Sequence, residues 1–478
     1  MGSSIYFYDI AFLILFAIFT SSFLYLRRKN LRREGLLFIY RTSWGIKLIN
    51  SVGKKSPGFF KFLSYVSITT GYLLMAGMFY LLGRIVYLYI AFPSLVREIK
   101  VPPITPLIPY LPEIFKIDFL PPFYFTYWII IIAIVAISHE FFHGIFAAHD
   151  KLKIKSTGFG FFPFFFPIFP AAFVELDEKK MATKSKFSQL AVLSAGTFAN
   201  VITAILFFAL LIIFFQFAFS PSGVVFDSYS YNAVAVSAIS SVNGINIENP
   251  NYGNILNLVN ESGLNRINAG GESYVITKEA LEKQSDNNKN LVLYYDAPAI
   301  NAQLENVLLG INEEKLESIE DIERELSKYS PGESVTLNVL GKDGENYDRD
   351  ITLGENPGKN NLAWLGIVFI KQSGIGAMGK ISSLIQSFKN KHVYYKSNLG
   401  EFGTFIYDLI QWLAIISISV ALINMLPVGI FDGGRFFYLT ILAITGSEMK
   451  ARKAFAFSTY FILFLILILM VFWFRSFI

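Results

Sequence analysis

The 478-residue sequence predicts a polytopic α-helical membrane protein with about six transmembrane helices and an extramembrane α+β domain inserted between the core helices. Three observations carry this. Apolar residues make up 53% of the chain and aromatics 17%, while charged residues are only 16%, against roughly 25% in an average soluble protein. The apolar residues fall into six runs, each longer than the ~20 residues that cross the hydrocarbon of a bilayer. Between the fourth and fifth runs the character changes. Residues 220–364 carry short alternating strands, Asn/Gly/Asp/Ser turns and 22 acids against 10 bases, whereas the remainder holds 31 bases and 14 acids.

The runs follow in order. Ile5–Leu26 lacks a basic leader and a small-residue cleavage site and is followed by Arg27, Arg28 and Lys29, so it reads as a span or anchor rather than a signal peptide. Leu63–Phe92 is interrupted only by Arg84. Phe123–Ala148, Phe187–Phe219, Phe405–Leu426 and Ala454–Phe474 complete the set. Arg435–Thr445 is too short to span and reads as a half-helix or interfacial segment. Residues 27–61 hold ten Lys/Arg and one acid, and a second basic stretch runs from Lys151 to Lys186. Both are expected on the cytoplasmic side. The proline-rich loop 93–122 and the acidic region 220–364 are then extracytoplasmic. This divides the chain into N-terminal transmembrane helices and loops (1–122), a first part of the membrane core (123–219), the acidic region (220–364), a linker with amphipathic character (365–404) and a second part of the core (405–478).

The chain has no cysteine, which excludes disulfides, iron–sulfur clusters, Cys-ligated zinc and thiol nucleophiles. A metal must therefore be held by His, Asp or Glu, and there are only four histidines: His139, His143, His149 and His392. Two of them stand in the third apolar run, in the stretch AISHEFFHGIFAA. Residues i and i+4 share a helix face about 6 Å apart along the axis, so His139 and His143 can reach one zinc ion. Glu140 stands beside them, able to take a proton from an attacking water, as in H-E-x-x-H zinc peptidases. Such groups in an apolar span are costly without partners and so point to function. The competing reading is a pore-facing polar cluster or proton relay.

A catalytic zinc needs a third protein ligand and an open position. No other intramembrane histidine exists, so a carboxylate at similar depth is required. Asp432, in INMLPVGIFDGGRFF just after the fifth run, meets the requirement if both runs cross from outside to inside. The competing reading of Asp432 is an interfacial helix cap. His149 lies off the face of His143 and reads as a solvated interfacial residue. His392 reads as unrelated to the metal. Glu175 reads as a surface or hairpin-stabilising acid.

HEFFH in one span and N-x-x-P-x-x-x-x-D-G-G in a later one resemble the site-2 protease family of intramembrane zinc metalloproteases. LSAGTFANV in the fourth run, with Gly196 and Asn200, resembles the small-residue segment of that family's intervening helix. GFGFFPFFFPIFPAAFVELDE (158–178) resembles its membrane-associated hairpin. The resemblance covers about 123–219 and 405–440. Phe431 departs from the family's usual Leu, and Thr197 from its Pro. The resemblance implies one zinc on His139, His143 and Asp432, with Glu140 as catalytic base and Asn424 as a donor to the substrate backbone or oxyanion. Pro427 would break the helix so that Asp432 turns toward the metal. Gly196 and Asn200 would allow close helix approach, with Asn200 a possible substrate contact. An exposed strand edge at 158–173 would hold an unwound, extended substrate by strand addition, and the alternative is a lipid-facing anchor.

In the acidic region, strands at Leu291–Tyr295, Val307–Ile311, Ser334–Leu340 and Asp348–Leu353 and a helix at Ser318–Tyr329 follow in an order that resembles a PDZ domain. AISSVNGINI (238–247) suggests a second such half, and one module or two both remain open. The implied activity is regulated intramembrane proteolysis: hydrolysis of peptide bonds in or near the transmembrane segment of single-span substrates, with a peptide or protein ligand on the PDZ-like region. The setting would be a prokaryotic plasma membrane, with the active site toward the cytoplasm. The alternatives are an inactive relative that binds membrane proteins and a transporter with a buried His/Asp site. Nothing points to nucleic acid.

Overall fold

A computed structural model of the chain describes residues 3–475 apart from 36, 94–95, 97–101, 104–106, 116, 118–119, 162–169, 285–288, 371–382 and 384–386. It divides into two compact units, Met1–Phe215 with Thr404–Ile478, and Gln216–Gly403. In the first unit the helices are α1 (Ser3–Leu26), α2 (Ile46–Lys54), α3 (Pro57–Ala91), α4 (Phe125–His149), α5 (Lys186–Ala218), α6 (Gly400–Asn424), α7 (Asp432–Thr445) and α8 (Glu448–Phe474). All but α2 and α7 are long and apolar enough to cross a membrane, which makes this a multi-pass membrane protein. The helix α3 begins six residues before the apolar run it contains, because Pro57 at its first turn is preset for helix and needs no donor. The short α7 is the half-length segment expected between the last two spans, and Gly446 ends it in the left-handed conformation.

The core of this unit joins α2 to α7. Ile49, Phe60, Met75, Phe146, Val192, Met425 and Phe436 pack into one buried cluster. The amphipathic α2 lies tightly on α4: a Cβ added at Gly53 would stand 2.6 Å from the Ile145 carbonyl oxygen.

A four-stranded antiparallel sheet accompanies the helices, in the order β1 (Leu31–Glu34), β2 (Leu37–Thr42), β3 (Ile154–Phe161), β4 (Pro170–Leu176). The sheet corrects one expectation. The stretch 158–161 of β3 is paired on both sides, with β2 and with β4, so it offers no free edge. The basic loop after α1 folds into the β1–β2 hairpin and covers that side, and among the described residues β4 is the outer strand, its edge facing α4 at Glu140. The Phe-rich tip, 162–169, lies outside the described residues. Arg41 on β2 donates to Glu34 and, at 3.2 Å, to Glu175, which also accepts from the Ser156 hydroxyl at 2.7 Å. Ser156 and then Arg41 hold the Glu175 carboxyl below its ordinary range, so Glu175 does brace the hairpin.

An acid that the sequence reading did not single out ties α1 to α4. Asp9 is only 2% exposed. Its carboxylate accepts from the Phe125 and Thr126 amides at 3.0 and 2.8 Å, the Thr126 hydroxyl at 2.7 Å and the Tyr110 hydroxyl at 2.5 Å. Those amides are the unpaired donors of the first turn of α4, so Asp9 caps that helix from a different one.

The second unit contains two modules of like order. Each runs through a short helical turn, a strand, a two-residue strand, a helix and two further strands, over 236–276 and again over 298–352. The helix expected at Ser318–Tyr329 is Ile319–Leu326, started by a reciprocal Ser318–Asp321 capping box. The strand Phe219–Val225 pairs with Val307–Ile311 of the second module, so the first module is inserted within the sheet of the second. The segment read as a linker supplies Val393–Ser397 to the same sheet, and its residues 371–382 and 384–386 lie outside the described ones. His392 Nε2 lies 2.8 Å from Asp227, within this unit. Burial pushes the Asp227 carboxyl up, but the Ile370 amide, His392 and Lys391 outweigh it and hold it below its ordinary range.

Asp9→Ala is expected to lower the stability of the detergent-purified protein by roughly 1–3 kcal/mol, since it strands four donors that a charged acceptor now satisfies. Asp9→Asn should cost less. Thermal unfolding followed by circular dichroism checks this, and equal midpoints for Asp9→Ala and wild type would contradict the cap.

Candidate metal centre

In α4 the apolar run sets the helix, and the i, i+4 spacing places both imidazoles on one buried face. His139 is 8% exposed and His143 9%. Their Nε2 atoms lie 3.0 Å apart, and Asp432 Oδ2 is 3.1 Å from the first and 3.2 Å from the second. These three donor atoms form a group able to hold a metal ion. Tetrahedral ligands about 2.0–2.1 Å from a zinc ion stand about 3.3 Å apart, close to the spacing found here.

The proton count points the same way. His143 Nδ1 lies 2.6 Å from the Val192 carbonyl of α5, which can only accept, so Nδ1 carries a proton and, in the neutral ring, Nε2 carries a lone pair. Asn200 Nδ2 lies 3.1 Å from His139 Nδ1, while its buried Oδ1 has no partner among the described residues, and exchanging the two amide atoms would satisfy both. With Oδ1 accepting from Nδ1–H, His139 takes the same tautomer. Two lone pairs and a carboxylate oxygen then face one another with no proton between them. With both rings neutral, a cation at their centre satisfies all three atoms, so the donor set fits a zinc ion.

Asp432 reaches this point through the turn after α6. The helix ends at Asn424, Met425 to Phe431 form tight turns, and Asp432 opens α7. Pro427 is buried in that turn, and its carbonyl accepts from Ser458 of α8 at 2.9 Å. The two glycines after Asp432 do more than loosen the chain. A Cβ at Gly433 would stand 2.5 Å from the Met425 carbonyl oxygen, so only glycine lets α7 begin so close to the turn. Gly196 works the same way on α5. A Cβ there would stand 2.5 Å from His139 Nε2 and would also meet His143 Nε2.

Glu140 is not among the three converging atoms. Its Oε2 accepts from the Val174 amide of β4 at 2.8 Å, which fixes the carboxylate between the helix and the free strand edge. Asn424, at the end of α6, has no side-chain hydrogen-bond partner among the described residues. His149 is elsewhere on α4, against the Phe60 ring at 5.7 Å. The sequence reading missed the Val192 carbonyl, which as a backbone atom leaves no residue-type signal.

Gly196→Ala is expected to displace one or both imidazoles and lower zinc content well below that of wild type while the protein stays folded. Metal analysis beside circular dichroism checks it. Full zinc in the variant would contradict the crowding argument.

Two comparisons bear on this arrangement. A stretch of 48 residues is 40% identical to the zinc metalloprotease RasP of Geobacillus kaustophilus (strain HTA426), covering 10% of this chain and 11% of that protein. The family description Peptidase family M50 matches residues 127–469, which run from α4 into α8 and include His139, Glu140, His143, Gly196, Asn200 and Asp432. The chain belongs to peptidase family M50, the site-2 protease family.

Proposed function

We propose that this protein is an intramembrane zinc metalloprotease that hydrolyses peptide bonds in or near the transmembrane segments of single-span membrane proteins. The observation that carries the reading is the meeting of two imidazole nitrogens and a carboxylate at 3.0–3.2 Å inside an apolar helix bundle, with Glu140 on the helix of the two histidines. His139, His143 and Asp432 would hold the ion. Zinc bound there supplies a Lewis acid that polarises the scissile carbonyl and makes water nucleophilic near neutral pH. Glu140 takes the proton of the attacking water and hands it to the departing amine nitrogen. The Val174 amide orients the Glu140 carboxylate for both transfers. Asn424, with its amide uncommitted, donates to the substrate backbone or the developing oxyanion.

A transmembrane substrate is helical, and hydrolysis needs it extended. The free edge of β4 supports the strand-addition reading at a place shifted from the one expected. The Val174 amide points out of the sheet toward Glu140, so a strand laid along β4 passes directly beside the base. The two like-ordered modules of 216–403 support a PDZ-like region that binds an extended peptide or acts as a size filter. Its net charge of −12 over 220–364, against basic loops elsewhere, supports an extracytoplasmic position, with the active site toward the cytoplasm. Zero cysteines favour a prokaryotic plasma membrane. An intact Glu140 speaks against an inactive relative.

The test is cleavage of a panel of single-span membrane proteins by wild type and Glu140→Gln. Wild type should cut within or next to the span, and the variant should be slower by at least about a hundredfold with its zinc retained. Equal cutting by both would remove Glu140 from the chemistry. No cutting by zinc-loaded wild type would overturn the protease reading.

A further inference from the structure

A cavity of about 520 Å³ lies between α2, α4 and the sheet, and Glu140 forms part of its wall. Its other principal walls are Trp44 from the segment joining β2 to α2, Leu48 from α2, Ile137 and Phe141 from α4, and Phe173 from β4. This volume is typical of a cleft that holds a ligand. At 3.6 residues per turn, Glu140 stands about 60° around the helix from His143 and about 60° from Ile137. The proposed base is therefore the boundary residue, with the metal donors on one side and the cavity on the other.

We infer that this cavity is a specificity pocket, which takes a bulky apolar side chain of the substrate residue next to the cut bond. The inference rests on the protease reading above. Three further observations support it. Trp44 is 74% exposed and Leu48 57%, yet the turn that carries Trp44 and leads into α2 is held in place: the Thr157 hydroxyl, itself buried, donates to the Trp44 carbonyl at 2.6 Å and to that of Thr42 at 3.2 Å. Gly45, with φ +83°, then starts α2 and holds Leu48 at the cavity. A substrate strand on the free edge of β4 sends alternate side chains to opposite faces of the sheet, and the cavity lies beside β4 at the level of Val174 and Glu140. A lipid chain would fill an apolar groove as well, and the crosslinking measurement below separates the two occupants. This wall includes residues 42–49, which precede the family-matched segment that begins at 127. It would set which residue is accepted without altering the chemistry.

The probe is a single-span test peptide in detergent micelles, with Ala, Leu or Phe placed in turn at each position beside the mapped cut. Wild type should prefer Leu or Phe over Ala at one of these positions by on the order of tenfold or more. Leu48→Trp, which fills the cavity, should reverse or abolish that preference, and Trp44→Ala should weaken it. Zinc content equal to wild type shows that each variant is folded. In a second measurement, a photo-crosslinking residue replacing Leu48 in a Glu140→Gln background should capture the test peptide near its cut position. Cleavage by all three proteins with one unchanged preference would overturn the pocket and leave the protease reading standing. Crosslinks to lipid alone would overturn it in favour of a lipid groove. Absence of cleavage by zinc-loaded wild type would overturn both readings.

Discussion

Three acceptor atoms that repel one another, two imidazole nitrogens and a carboxylate oxygen, are held within 3.2 Å in an apolar bundle, and much of the surrounding architecture exists to keep them there. The Val192 carbonyl and Asn200, both on α5, take the outer ring nitrogens and fix the two tautomers. The neighbouring helices are cut back to glycine where the rings and the Asp432 turn need room, at Gly196 and Gly433. A cation in the middle turns that repulsion into binding.

The helix that carries both histidines is fixed at its two ends by segments distant in sequence. At its start, Asp9 of α1 accepts from the first-turn amides, replacing water as the partner of a helix terminus. Near its end, α2 packs against Ile145 and Ala148 through Gly53. Between these points, β4 passes close enough for the Val174 amide to hold Glu140. Two metal donors and the base are thus positioned on a single rigid element, with β4 braced against it, the arrangement that gives a catalytic group a defined orientation.

Much of this was legible in the residues. The i, i+4 histidines are a local pattern, and helix geometry alone places them on one face. Asp432 became a candidate because alternating loop charges put the ends of two spans on one side of the membrane. The capping box at Ser318 and Asp321 was legible for the same local reason. What escaped depends on long-range contacts. The hairpin formed by 31–42 pairs with β3 across more than a hundred residues, so the hairpin motif by itself left β3 with an apparently open edge. Asp9 stood in view as an acid in an apolar run, but its partners at 110, 125 and 126 are contributed by the fold. The two like-ordered modules of 216–403 are interleaved, since the first strand of the second module precedes the whole of the first, and a linear reading separates them poorly.

The most direct test of the account is the zinc content of detergent-purified wild type beside His143→Ala and Asp432→Ala. The account predicts about one zinc per chain in wild type and much less in both variants, all three remaining folded. Zinc absent from folded wild type, or retained in full by either variant, would contradict it.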